Sequence, residues 1–128
     1  MNYYFTKVTN YTMTEAREKV TEALKTEGFG VLTEIDVQQT LKNKLDVDFR
    51  PYLILGACNP SFAYQALTAE PNIGAMLPCN VILQQTTDGG TEISAVDPVA
   101  SMKGVDNSTL GSIATEVQQK LQRVIDRV

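Results

Sequence analysis

The sequence contains no histidine. That absence excludes a Ser-His-Asp triad, a Cys-His pair, a histidine metal ligand and a histidine pH switch within the chain. Cysteine is scarce: Cys58 and Cys79 are the only two. Two cysteines make no disulfide framework, and a chain of this length buries enough core not to need one. Both are expected to be reduced thiols. Long apolar runs are missing as well. No stretch approaches the roughly 20 apolar residues of a membrane span. The N-terminus, Met1-Asn2-Tyr3-Tyr4-Phe5-Thr6-Lys7-Val8, lacks the basic and then apolar pattern of a secretory signal. Repeats, low-complexity tracts and Pro/Gly/Ser linkers are absent too. A G-x-G-x-x-G, a Walker loop and a C-x-x-C are likewise not found.

What remains is an ordinary globular composition. The 128 residues are 43% hydrophobic and 20% charged, which predicts one domain spanning 1–128. Lys and Arg total 11 and Asp and Glu total 15, a net charge of −4. An acidic chain repels phosphate backbones unless its cations cluster. No nucleic-acid partner, membrane partner or cofactor is therefore expected, and the chain reads as soluble and cytoplasmic.

Local signals predict nine elements in the order β-α-β-α-β-α-β-β-α. A first strand covers about residues 2–8. Thr12 and Glu15 form a capping box, and Ala16, Val20, Ala23 and Leu24 then fall on one helical face. Gly28 stops that helix, and a strand follows over about 29–35. Asp36 caps a short helix over 37–45. Pro51 opens a strand over 52–58, whose unbroken apolar run predicts a central place buried on both faces. Asn59-Pro60 starts a third helix over 60–69, and 70–77 reads as a loop. Strands over about 80–86 and 91–97 flank the hairpin signal Asp88-Gly89-Gly90. Residues 98–102 suit a helical turn. The last helix, capped near Asn107 or Ser108, aligns Leu110, Ile113, Val117, Leu121, Val124 and Val128. The fold class predicted is α+β, a mixed five-stranded sheet with helices mainly on one face.

Four groups of residues have chemistry to offer. Cys58 ends a strand beside a helix N-terminus, where the helix dipole favours a thiolate; it is the candidate nucleophile, with Cys79 as its companion. The competing account is that cysteine is a small, commonly buried hydrophobe. Asn59, Cys79, Asn80 and Lys42 are candidate ligand-binding residues. Lys42 belongs to a sparse basic cluster with Lys44 and Arg50, which suits either an anionic small molecule or a solvated face. Glu34, Asp36 and Asp97 lie near strand ends and are weak candidates for a hard divalent cation. Capping and turn roles account for Asp36 and Asp97 without any metal.

The blocks Tyr52-Leu53-Ile54-Leu55-Gly56-Ala57-Cys58-Asn59-Pro60 and Leu77-Pro78-Cys79-Asn80-Val81 carry a resemblance, together with Glu34-Ile35-Asp36-Val37 and Asp97-Pro98. Over nearly the whole chain they resemble the bacterial and archaeal family termed domain of unknown function 302. Met76 stands where the family often has leucine. The resemblance implies a small free-standing cytosolic domain and a homodimer, and it implies no activity.

Three functions follow as expectations. The first is a non-catalytic domain holding a small ligand in a pocket walled by the third helix and residues 70–77. The second is a thiol-dependent sulfur or redox enzyme or carrier centred on Cys58. The third, ranked lowest, is a metal-assisted hydrolase using Glu34, Asp36 and Asp97. A two-fold dimer is also expected, through the 91–97 strand taken as a sheet edge, through the last helix, or through both. Ala95 is the edge position that a lysine would disrupt.

Overall fold

A computed structural model describes residues 2–128. The strands are β1 (Tyr4–Thr9), β2 (Gly30–Asp36), β3 (Tyr52–Cys58), β4 (Cys79–Gln85) and β5 (Thr91–Val96). The helices are α1 (Met13–Thr26), α2 (Val37–Leu45), α3 (Pro60–Ala69), α4 (Pro98–Ser101) and α5 (Ser108–Arg127). Residues Pro71–Met76, expected as loop, form a 3-10 helix.

The helix starts are set by side chains. Thr12 accepts from the Glu15 amide at 3.1 Å while the Glu15 carboxylate accepts from the Thr12 amide at 3.0 Å. Asp36, Asn59, Asp97 and Asn107 cap α2, α3, α4 and α5 by accepting from first-turn amides. Each cap satisfies amides that have no partner inside the helix.

The α+β class and the element order are as expected, but the sheet is antiparallel throughout rather than mixed. Its strand order is β1-β5-β4-β3-β2. The helical connections explain the difference. A helix between two strands suggests a crossover and parallel neighbours. Here α2 with residues 46–51, and α3 with the 3-10 helix, run out and back. Each returns the chain to the sheet end it left, so β2, β3 and β4 alternate in direction.

The expected edge also moves. β5 lies inside the sheet between β1 and β4, and Ala95 is buried between Phe5 and Val81. The edges are β1 and β2. A lysine at position 95 would therefore disturb the core, not a dimer edge. The last helix has no apolar surplus either. Leu110, Ile113, Val117, Leu121, Val124 and Val128 are all buried within the chain.

The core lies between one sheet face and the helices. Leu55, Val81, Leu83, Ile93 and Ala95 meet Val20 and Leu24 of α1 and Val117, Leu121 and Ile125 of α5. A smaller cluster joins Ala66 of α3, Ile73 and Leu110.

The hairpin between β4 and β5 fits closely against the end of β1. A Cβ on Gly90 would collide with the Thr9 carbonyl oxygen, which is rigid backbone. Gly90→Ala is expected to destabilise the chain by about 1–3 kcal/mol. Gly104, which has open space around it, should accept Ala with no comparable loss. Urea unfolding of both variants checks this, and equal midpoints would contradict it.

Candidate functional site

At one end of the sheet, β3 finishes with Ala57-Cys58 and β4 begins with Cys79, which pairs with Ala57. The chain leaves β3 through Asn59 into α3. Between these strand ends, α3 and α5 lies a cavity of about 270 Å³. Phe62, Ala63, Ala66 and Leu67 of α3 form one wall. Ile113, Ala114 and Val117 of α5 form the other. Leu77, Pro78, Pro98 and Met102 close the end. The room comes from small side chains: Ala63, Ala66 and Ala114 stand where larger residues would fill the gap. β2 bulges between Val31 and Thr33. The bulge turns Leu32 out at the rim of the cavity, 68% exposed. Bulges recur where a strand must aim a side chain out of the regular pleat.

The lining contains no Asp, Glu, Lys, Arg, Ser, Thr or Tyr. Its polar side-chain groups are the Asn59 amide and the thiols of Cys58 and Cys79. Asn59 is already engaged. Its carbonyl oxygen accepts from the Phe62 amide at 3.4 Å, and its amide nitrogen donates to the Glu27 carbonyl oxygen at 3.2 Å. Glu27 is in turn tied to α5 by hydrogen bonds from Arg123 at 2.9 and 3.1 Å. Those bonds hold its carboxyl below the ordinary value of 4.5. This clamp fixes the start of α3 against the end of α1.

Both thiols are free. Cys58 is half-buried and Cys79 is buried. Burial, and secondarily the neighbouring Cys58, pushes the Cys79 thiol up to about 11. At neutral pH Cys79 is therefore protonated and a poor nucleophile. No cationic side chain lines the cavity to activate either sulfur.

The structure brings Cys58, Asn59 and Cys79 together and separates the other candidates from them. Asn80 follows Cys79 in the pleat and points to the opposite sheet face, in a shallow groove. Lys42 is exposed on α2 and pairs with Asp46 at 3.0 Å and Asp48 at 3.3 Å. Glu34 accepts two hydrogen bonds from Arg17, at 2.9 and 2.7 Å. Asp36 accepts from the Gln39 amide at 2.9 Å. Asp97 accepts from the Val99 amide at 3.0 Å and from Gln118 at 3.0 and 3.1 Å.

The three carboxylates do not converge. Asp36 shares a register row with Leu53, Leu83 and Ile93. Asp97 lies four residues beyond Ile93 and three strands away from β2. Strand geometry separates them by about 14 Å across the sheet and about 13 Å along it. No group of three or more Cys, Asp or Glu suited to a metal ion occurs among the described residues. Residues 70–77 contribute only Leu77 to the cavity; Ile73 is buried elsewhere. The second wall is α5, which sequence reasoning missed. Its available signal was the small residue Ala114 beside Ile113 and Val117 on an otherwise bulky apolar stripe.

The family model described as "Domain of unknown function DUF302" matches residues 5–128. A crystal structure of an uncharacterized conserved DUF302 protein from Bacillus stearothermophilus superposes with a TM-score of 0.91 at 32% identity. That match covers 99% of this chain and 98% of the other. No curated protein matches the sequence. The chain belongs to the DUF302 family, whose function is unknown.

Proposed function

We propose that this DUF302 domain is a non-catalytic binding domain that holds a small apolar ligand between α3, α5 and the ends of β3 and β4. One observation carries the reading: a preformed cavity with an almost wholly apolar lining. Small-molecule sites are concave and mostly apolar, with a few polar groups that orient the ligand. At about 270 Å³ this one lies just below the usual range of about 300–1,000 Å³, so it suits a compact ligand. Leu32 and Leu67, 68% and 43% exposed at the rim, would lose water when such a ligand enters. General acid–base catalysis requires a titratable group near its working pH, and the lining supplies none beyond the thiols. The absence of histidine, a loss for an enzyme, costs a binding domain nothing.

Thermal unfolding with a panel of small aromatic and aliphatic compounds tests the reading. A ligand at 100 times its dissociation constant stabilises the folded chain by about 2.7 kcal/mol. For a domain of this size that is a rise of about 10 °C. Ala114→Phe, which places a ring in the cavity, should abolish the rise while the variant still unfolds cooperatively. A panel without any stabilising compound, or equal rises in the filled variant, would overturn the proposal.

A further inference from the structure

Asn80 lies outside the cavity, on the sheet face that the helices leave uncovered. Val81 and Leu83 of β4 belong to the core, so the alternate residues Asn80, Ile82 and Gln84 face the other way. This face is mixed, as a solvated antiparallel face normally is, but it is not flat. A groove of about 430 Å³ crosses it, within the usual range of about 300–1,000 Å³ for ligand sites. Tyrosines line its ends, Asn80, Gln84 and Glu92 its middle, and Ile82 and Ser94 its floor.

The sheet register sets the distance between those ends. Tyr52 pairs with Gln84, and Gln84 with Glu92. Tyr4 pairs with Val96, four residues further along β5. Three strand spacings across and four residues along put Tyr4 and Tyr52 about 19 Å apart at the backbone. Both ends are braced. Tyr3 stands 67% exposed, edge-to-face on Tyr4 with ring centres 5.0 Å apart. Tyr52 rests against Phe49, ring centres 6.2 Å apart, and against the Arg50 guanidinium at 5.6 Å.

The middle holds unused hydrogen-bonding capacity. The Asn80 side-chain amide is exposed and has no partner among the described residues. The Gln84 carbonyl oxygen accepts from Arg50 at 2.8 and 3.1 Å, which leaves its amide hydrogens to donate. One Glu92 oxygen accepts from Thr6 at 3.2 Å, which leaves the other to accept.

These groups narrow the ligand. Arg50 is engaged with Gln84 and does not line the groove, so a phosphate or carboxylate finds no counter-charge. A wholly apolar ligand would strip water from the amides and the carboxylate without replacing it, at a cost for each group left unpaired. A neutral sugar answers both demands. Its hydroxyls donate to Glu92 and to the Asn80 carbonyl oxygen and accept from amide N–H groups, and its C–H faces lie on tyrosine rings. Aromatic rings at both ends, with polar groups between them, suit linked sugars better than a single one. We propose that this groove binds a neutral oligosaccharide, at a site separate from the apolar cavity under the helices.

Calorimetry and saturation-transfer NMR of the full chain test this with maltotriose, cellotriose and triacetylchitotriose. Sugar at up to about 10 mM covers dissociation constants to about 1 mM. At least one trisaccharide is expected to bind, and glucose more weakly than it. Asn80→Ala and Tyr3→Ala trim exposed side chains, so both variants keep the fold. Each should weaken binding by about 10-fold, as the loss of one good contact does. Tyr64→Ala, 75% exposed on α3, and the cavity-filling Ala114→Phe should leave the affinity unchanged. Failure of all three trisaccharides to bind would overturn the proposal. So would binding that survives both Asn80→Ala and Tyr3→Ala, or that glucose matches. Loss of binding in a folded Ala114→Phe chain would overturn it too, by placing the sugar in the cavity.

Discussion

Replacing Leu83 with Ala is expected to destabilise the chain by about 3–4 kcal/mol, out of a total of about 5–15 kcal/mol. Leu83 is fully buried at the middle of β4. Leu53 flanks it on β3 and Ile93 on β5. The helices α1 and α5 roof the same cluster. Neighbours held by two strands and two helices cannot collapse into the vacated space, so the residual void adds to the lost transfer energy. In urea, with a slope of about 1–3 kcal/mol per molar, the midpoint should fall by at least about 1 M. Leu32→Ala is the contrast. Leu32 is 68% exposed, and its loss should change stability by no more than about 0.5 kcal/mol. Equal losses in the two variants would mean that the core is not where the sheet and helices place it.

The elements with local causes were legible in the sequence. The Thr12–Glu15 capping box, the Asn59-Pro60 helix start and the Asp88-Gly89-Gly90 hairpin act over three or four residues, and each stands where the sequence puts it. The place of β1 was not legible. It pairs with β5 across more than eighty residues, and no local pattern encodes that partner. Without it, a hairpin strand such as β5 reads as an edge. The unbroken apolar run Tyr52–Cys58 predicted burial on both faces. β3 is indeed an interior strand, but Tyr52 and Ile54 face away from the helices. Neither belongs to the chain's hydrophobic clusters.

The site divides along the same line. Cys58 and Asn59 were readable because a strand end and a helix start meet there in sequence. Cys79 joins them through a register that places it opposite Ala57. The α5 wall was hidden, because a cavity is defined by what is missing. Ala63, Ala66 and Ala114 look like ordinary helix formers until the two helices are seen to face each other. The carboxylates show the reverse. Each looked available for a metal, and each is taken by a cap or an ion pair.

Stability should also depend on pH above the neutral range, and Cys79 sets the slope. Burial raises its thiol from the ordinary 9.0 to about 11. Above pH 9.0 the unfolded chain loses this proton while the folded chain keeps it. The unfolded state then binds fewer protons, so stability falls as pH rises. The contribution is intact below pH 9.0 and declines until about pH 11. Two pH units at about 1.36 kcal/mol each give a loss of about 2–3 kcal/mol. The informative quantity is a difference between two chains. Cys79→Ala removes the thiol and should unfold in urea with a shallower decline between pH 9 and pH 11, by about that amount. It will start lower at pH 8, since a buried side chain has been trimmed, and only the slope matters. Alkylation gives an independent reading: at pH 8 iodoacetamide should spare Cys79 until denaturant opens the fold. Parallel declines in the two chains, together with ready alkylation of Cys79 in the folded protein, would mean that this sulfur faces water. The cavity would then be a wet cleft instead of the apolar chamber on which the binding reading rests.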